Sequence, residues 1–337
     1  MVNRRVAVVG PGRMGIGIVT AVLMAGQGHS VILLDTKHRE RGLERDALEK
    51  ARGQVAANLE LLCRLGAIAA SWEPLLDHLR LEQGFEPLRE CSLVFEALPE
   101  TVEAKRPFYE EAGRFLREGA VIASATSTFD VRVFASMYAH PRWAVAAHWL
   151  NPAFLIPLVE IARTQETAAD AVEELRSFLA GIGKIPVIMR SSPGFVVPRI
   201  QAAAMNEAVR ILEEGVASAE EIDTAIKAGF GFRLAVLGLI EFIDLGGVDI
   251  LARAGEYLCS ALGQPQFRPP ALVAEKMASG EIGAGVSKGF FDYTGVNTRA
   301  LFDSRYQGFL ELLELYRRSD VLHFGGGITE APKATLP

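Results

Sequence analysis

Cysteine is scarce in this chain: three residues in 337, Cys63, Cys91 and Cys259, at no C-x-x-C or metal-ligand spacing. An odd, scattered set argues against a disulfide scaffold or a zinc site and fits reduced thiols in a cytoplasmic protein. Blocks of basic residues are also missing, and the formal net charge is −6. Phosphate backbones are held largely by clustered Lys and Arg, so nucleic acid is a poor candidate partner. Long apolar runs are absent too. The run near residues 234–246 is broken by Glu241 and Asp244, so no membrane span is expected. The stretch MVNRRVAVVGPGRMG reaches glycine after four apolar residues, too few for a signal peptide. What is present is a globular composition, 50% hydrophobic and 23% charged, long enough for two domains.

The first motif lies at the N-terminus. Val6 to Val9 is a short β-branched run with Ala7, the pattern of a buried parallel strand. It leads into Gly10, Gly12 and Gly15, spaced G-x-G-x-x-G, then a helical pattern from Ile16, a second strand HSVILLD, and Asp35. The first glycine permits the tight turn, the second lets backbone approach a pyrophosphate, and the third lets helix and strand pack closely. The helix N-terminus offers free N–H groups to the phosphates. Asp35, twenty residues past the third glycine, is placed for the ribose hydroxyls. A bare glycine pattern is weak evidence, since an ordinary strand-turn-helix also carries it; strand, glycines, helix, strand and acid in order are far more specific. Asp35 would repel a 2′-phosphate, which favours NAD over NADP, although Lys37 and Arg39 follow closely and could attract one.

The rest of the N-terminal half alternates strand and helix. Residues 40–65 read as one charged amphipathic helix ending near Gly66. SLVFEAL, GAVIASAT, WAVAAHW and IPLVEIA read as further strands, predicting an α/β domain with a doubly wound parallel sheet. From about Ser191 the pattern turns helical, with Pro193–Gly194, Pro265 and Pro269–Pro270 at the joints and SAEE (218–221) at capping-box spacing. The expected organisation is a Rossmann-like domain over 1–190, an all-helical domain over 191–324 and a disordered tail over 325–337. Apolar helix faces in the second domain suggest burial against a second copy, a homodimer.

Within AAHWLNPAFLIPLVEIA, His148 and Glu160 interrupt an apolar segment, twelve residues apart, with Asn151 and Pro152 between. A histidine there is more often a core residue with one satisfied hydrogen bond than a catalytic group. However, Glu96, the ATS at 125–127 and His148 all fall at or just beyond strand ends, where doubly wound sheets bind ligands.

VAVVGPGRMGIGI, LVFEALPETVEAK, SATSTF, HWLNPAFLIPLVEI, SPGFVVPRI, NEAVRILEEGVASAEEID and GAGVSKGFFDY occur in this order over nearly the whole chain. In them the chain resembles the 3-hydroxyacyl-CoA dehydrogenases and their relatives. The resemblance implies a Rossmann-like domain followed by a helical dimerisation domain, NAD as cofactor and a role in fatty acid metabolism. It implies that His148 takes the proton from the substrate hydroxyl while Glu160 fixes its tautomer. Ser127 matches the serine that contacts the substrate oxygen, and Glu96 and Lys105 match positions near the cofactor. A strand-end carboxylate and a solvated helix lysine are the plainer readings of those two. Asn151 is a substrate-side candidate.

The departures are specific. Ala125 stands where the family has an asparagine, and Pro198 stands where it has another near the substrate carbonyl. Each amide contact left unmade is worth about 1–3 kcal/mol. GFGFRLAVLG at 229–238 is more similar to relatives acting on small free acids, the gulonate and carnitine dehydrogenases. Arg233 within it is a candidate carboxylate clamp, or else a helix cap or ion-pair partner. Lys50, Arg52 and Arg64 on the long helix are candidates for CoA phosphates. Three functions follow as expectations: oxidation of a 3-hydroxyacyl-CoA, the same chemistry on a free hydroxy acid or ring-borne alcohol, or a non-catalytic dinucleotide-binding structural or sensing dimer.

Overall fold

A computed structural model describes residues 4–37, 43–68 and 71–318. Arg39 and the tail at 325–337 lie outside the described residues. The chain divides into two compact units, one ending at Ala204 and the other starting at Met205. The composition change near Ser191 falls somewhat earlier in the chain.

The first unit runs β1 (Arg5–Val9), α1 (Arg13–Met24), β2 (Ser30–Asp35), α2 (Leu43–Arg64), β3 (Leu79–Gln83), β4 (Leu93–Glu96) and α3 (Val102–Ala112). It continues with β5 (Val121–Ser124), α4 (Val131–Ala135), β6 (Ala144–Trp149), β7 (Leu158–Arg163), α5 (Ala169–Gly181), β8 (Ile185–Arg190) and α6 (Val197–Glu213), the last reaching into the second unit. The eight strands form one sheet in the order β3-β2-β1-β4-β5-β6-β7-β8. Strand periodicity divides its core. Val6 and Val8 of β1 pack with α1, α2 and α5 on one face, while Ala7 and Val9 pack with α3 and α4 on the other.

Two features correct the sequence reading. The sheet is mixed rather than parallel, because β6 and β7 pair antiparallel. Eight residues join these strands, too few for the crossover of a dozen or more that a parallel pair requires. The sheet also has two strands that hydrophobic runs did not signal, β3 and β8, and these are its two edges.

The second unit is helical: the remainder of α6, then α7 (Ala219–Ala225), α8 (Gly231–Leu234), α9 (Leu239–Gly246), α10 (Val248–Leu262), α11 (Ala271–Ser279) and α12 (Thr298–Arg318). The expected capping box is present, with Ser218 Oγ accepting from Glu221 N and Glu221 Oε2 accepting from Ser218 N. Residues 226–230 form a single π-helical turn between α7 and α8. Asp244, buried at the end of α9, accepts from the backbone N–H groups of Phe290 (2.9 Å) and Phe291 (2.8 Å) and so fastens the GAGVSKGFFDY segment. Among the described residues no helix is long and apolar enough to cross a membrane.

Candidate active site

The glycine turn at the end of β1 shapes a cleft of about 890 Å³. Its walls include Gly10, Gly12, Arg13, Asp35, Lys50, Leu98, Asn151 and Phe154. Each glycine is required for a different reason. Gly10 has φ +104°, and a Cβ there would meet Ala97 O at 2.7 Å. At Gly15 an added Cβ would sit 2.0 Å from Gly10 O. Around Gly12, by contrast, no protein atom lies within 4 Å of the Cβ position. That space adjoins the N-terminus of α1, where Gly12 provides no side-chain cap. The first-turn N–H groups are therefore available to a phosphate. Asp35 is buried at the far end of β2 and accepts from Lys37 N at 3.2 Å. Glycine turn, bare helix start and acid thus fit a dinucleotide.

His148 and Glu160 face each other directly across the β6–β7 pair. This register explains their spacing: a tight reversal places residues equidistant from its middle side by side. His148 Nδ1 and Glu160 Oε2 are 2.7 Å apart, with the two residues 6% and 1% exposed. The second carboxylate oxygen, Oε1, accepts from Val196 N (3.0 Å) and Val197 N (2.9 Å) as α6 begins. Burial pushes the Glu160 carboxyl upward, but the His148 bond and the two backbone N–H groups outweigh it and hold it below 4.5. An ionised Glu160 keeps the proton on Nδ1, which leaves Nε2 as the basic nitrogen. His148 Nε2 makes no hydrogen bond among the described residues. Phe195 packs on the imidazole with ring centroids 5.7 Å apart. Its φ of +45° is costly for an aromatic residue. Phe195 was not singled out from sequence, and only its place in the SPGF turn hinted at it.

Glu96 and Lys105, the expected cofactor-side residues, are both buried. They are 0% and 1% exposed and pair with each other at 2.8 Å, beneath the cleft rather than in its wall. Glu96 also accepts from Leu98 N (2.7 Å), Ser124 Oγ (2.6 Å) and Tyr109 OH (3.2 Å). Through these bonds Glu96 organises the loop after β4. Burial, with the Glu96 charge beside it, drives the Tyr109 hydroxyl well above its usual value, so it remains a donor. The carboxylate at the surface of this network is Glu100, which sequence reasoning missed. It accepts from Ser127 N (2.9 Å), Thr128 N (3.1 Å), Thr128 Oγ1 (3.2 Å) and Thr126 Oγ1. Lys105 Nζ lies 3.4 Å behind it. Burial raises the Glu100 carboxyl, but Thr126, Lys105 and the loop N–H groups together bring it below its ordinary value. Glu100 thereby shapes the loop that carries Ser127, whose own hydroxyl makes no hydrogen bond among the described residues.

Residues 5–192 match the family model for the 3-hydroxyacyl-CoA dehydrogenase NAD-binding domain, and residues 194–293 match that for its C-terminal domain. The chain belongs to the 3-hydroxyacyl-CoA dehydrogenase family. It is therefore an NAD-dependent oxidoreductase of the hydroxyl-group class. The chain is similar to the 3-hydroxybutyryl-CoA dehydrogenase of Clostridioides difficile, 31% identical over 86% of this chain and 99% of that one. It is similar also to the 5-formyl-3-hydroxy-2-methylpyridine 4-carboxylate 5-dehydrogenase of Mesorhizobium japonicum, 29% identical over 88% and 93%. The crystal structure of the 3-hydroxyacyl-CoA dehydrogenase of Archaeoglobus fulgidus superposes with a TM-score of 0.73, at 30% identity, covering 94% of this chain and 99% of that one.

Against the pattern of the 3-hydroxyacyl-CoA dehydrogenase family, Pro198 occupies the first turn of α6. A proline there costs the helix little, because a first-turn N–H has no intrahelical partner. Arg233 is exposed in α8, its guanidinium 5.4 Å over the Phe242 ring. Lys50 reaches the cleft wall, whereas Arg52 and Arg64 are exposed and not among its lining residues. The glycines give a direct check. Gly12→Val should leave the melting temperature nearly unchanged and weaken NADH binding at least about tenfold, since only ligand space is lost. Gly15→Val should instead lower stability by about 3 kcal/mol or more, because its Cβ collides with backbone. Calorimetry and NADH fluorescence titration distinguish the two.

Proposed function

We propose that this dehydrogenase interconverts a secondary alcohol and a ketone, with His148 as the acid–base group, and that its substrate is a 3-hydroxyacyl-CoA. The observation that carries this reading is the buried 2.7 Å contact between His148 Nδ1 and Glu160, which leaves Nε2 for substrate. In the oxidative direction Nε2 takes the hydroxyl proton, and Glu160 stabilises the imidazolium that results. Bound NAD supplies the hydride acceptor. Ser127 donates its hydroxyl hydrogen to the substrate oxygen, on a loop held by Glu100. In the reverse direction the imidazolium returns the proton to the forming alkoxide. Asn151, in the cleft wall, contributes a side-chain amide at the substrate end. Lys50, the one long-helix cation in that wall among the described residues, is the candidate partner for a CoA phosphate.

A second substrate reading has its own support. Ala125 and Pro198 both lack the amide present in the family, and the Mesorhizobium japonicum relative is named for a ring-borne carboxylate substrate. A small free hydroxy acid or ring-borne alcohol would then be held by Arg233. The intact His148–Glu160 pair counts against a non-catalytic sensing protein. Large apolar side chains exposed on the helical unit, among them Met205, Val216, Ile250 and Tyr257, fit a homodimer.

NADH-linked assays with acetoacetyl-CoA, 3-hydroxybutyryl-CoA, carnitine, gulonate and aromatic alcohols test the substrate class. Turnover confined to the thioesters supports the first reading, and turnover confined to free acids or ring alcohols overturns it. Arg233→Met should raise KM about tenfold or more for a free acid and little for a thioester. Equal effects on both would remove the clamp.

A further inference from the structure

Lys184, in the turn between α5 and β8, is a buried cation that the chemistry above does not use. It is 8% exposed. Its Nζ donates to Ala153 O (2.7 Å) and Ile156 O (2.9 Å), with a longer contact to Phe154 O (3.5 Å). The ammonium also lies 5.6 Å from the Trp149 ring centroid. No carboxylate pairs with it among the described residues. Three N–H donors therefore meet three carbonyls of one short segment. Burial alone lowers the lysine to about 8, the direction expected of a cation removed from water without a counter-charge. Burying an ammonium without a counter-charge is costly, and here only carbonyl dipoles offset it. The cost of keeping an ammonium here calls for a role beyond filling space.

The segment it holds is the connection between the two strands of the His148–Glu160 pair. Trp149, under the ammonium, directly follows His148. Ala153 packs on α1, where a Cβ at Gly17 would come within 3.0 Å of the Ala153 Cβ. Asn151 and Phe154, on either side of Ala153, stand in the wall of the cofactor cleft. Irregular backbone of this kind has no sheet partners for its carbonyls, and buried carbonyls need donors. Lys184 provides them from below. One side chain thus connects the reacting imidazole's strand, the cleft wall and the start of the dinucleotide-binding helix.

We propose that Lys184 is a positioning residue: by gripping the carbonyls of residues 153, 154 and 156 it sets the connection between β6 and β7 so that Asn151 and Phe154 shape the nicotinamide end of the cleft beside His148. This rests on the dehydrogenase reading, but its first readout, NADH affinity, does not depend on which substrate is correct.

The test compares Lys184→Met, Lys184→Gln and Lys184→Arg with the parent by NADH titration, steady-state kinetics with acetoacetyl-CoA and NADH, and thermal melts. In Lys184→Met the NADH dissociation constant should rise about tenfold and kcat should fall about ten- to a hundredfold, the scale of an ångström-sized misplacement. KM for acetoacetyl-CoA should rise less than the NADH dissociation constant, since Asn151 is the one residue of the gripped segment assigned to the substrate. Lys184→Arg, which keeps charge and donors, should recover part of both losses. Parent-like NADH affinity and kcat in folded Lys184→Met overturn the proposal, whether or not the melting temperature drops. If Lys184→Met does not fold, Lys184→Gln takes its place, and parent-like values there overturn it equally. If the parent itself fails to reduce acetoacetyl-CoA, the thioester reading fails while the NADH arm still decides the role of Lys184.

Discussion

Replacing His148 with glutamine should lower turnover by about 10²–10⁴-fold while NADH affinity stays within about twofold, the range associated with a positioned acid–base group. Glutamine approximates the size of imidazole and can still accept a bond or donate one at the Nδ1 position, so the β6–β7 pairing is kept. What it cannot do is take a proton from an alcohol at neutral pH. The loss should appear in kcat and in kcat/KM equally, because the proton moves only as the transition state forms. Single-turnover oxidation of NADH by acetoacetyl-CoA, monitored at the nicotinamide absorbance, isolates the chemical step from product release. Turnover close to that of the parent would remove His148 from the mechanism.

Glu160→Gln should cost about as much, about 10²–10⁴-fold, for a different reason. Glu160 Oε1 accepts from two backbone N–H groups, and Oε2 faces His148 Nδ1. A glutamine in this site must keep its oxygen toward Val196 and Val197, the end that needs an acceptor, and so turns its NH₂ toward Nδ1. The histidine then places its own proton on Nε2, and the nitrogen facing the substrate is no longer a base. Glu160→Gln therefore retains the fold and the hydrogen-bond count but holds the wrong tautomer. Its pH signature follows from linkage. The Glu160 carboxyl is held below its ordinary 4.5, with burial opposing and the His148 and backbone bonds prevailing. A depressed carboxyl adds stability above its unfolded value, and that stability is lost as pH falls through the folded value. Parent stability should thus decline on acidification below about pH 4.5, and the decline should be shallower in Glu160→Gln. Acid titration of the melting temperature checks this separately from activity.

Much of the cofactor half was legible in the sequence because its signals are local. Gly10, Gly12, Gly15 and Asp35 lie on one strand-helix-strand unit; Gly10 and Gly15 are constrained by backbone they meet within that unit or just beside it, while Gly12 faces open space at the helix start. His148 and Glu160 were legible as a pair through the family resemblance, and the β6–β7 pairing turns their fixed interval into a cross-strand contact. The antiparallel turn that creates the contact was less so: IPLVEIA reads as a buried strand in either direction, and only the length of the connection decides. β3 and β8 escaped because they are edges. LRLEQ and IPVIMR place fewer side chains in the core, and β8 is mostly exposed along its length.

Glu96 and Glu100 show the other limit. Both are acids in one short segment, and sequence pattern cannot say which is enclosed. Glu96 is enclosed by Lys105, Ser124 and Tyr109, while Glu100 reaches across to residues 126–128. These partners lie on α3, on β5 and in the loop after β5, so no pattern within the LPETVEAK segment announces them. Lys184 belongs with this group, since its role depends on carbonyls some thirty residues earlier in the chain.

A crystal structure of the complex with NADH and a ketone substrate tests the central claim most directly. His148 Nε2 should lie within about 3.2 Å of the ketone oxygen, or be joined to it through one water, on the side of the carbonyl carbon facing away from neither Ser127 nor the nicotinamide ring. A nicotinamide ring seated away from His148, or an imidazole beyond that reach with substrate in place, would contradict the assignment and leave His148 and Glu160 as a buried structural pair.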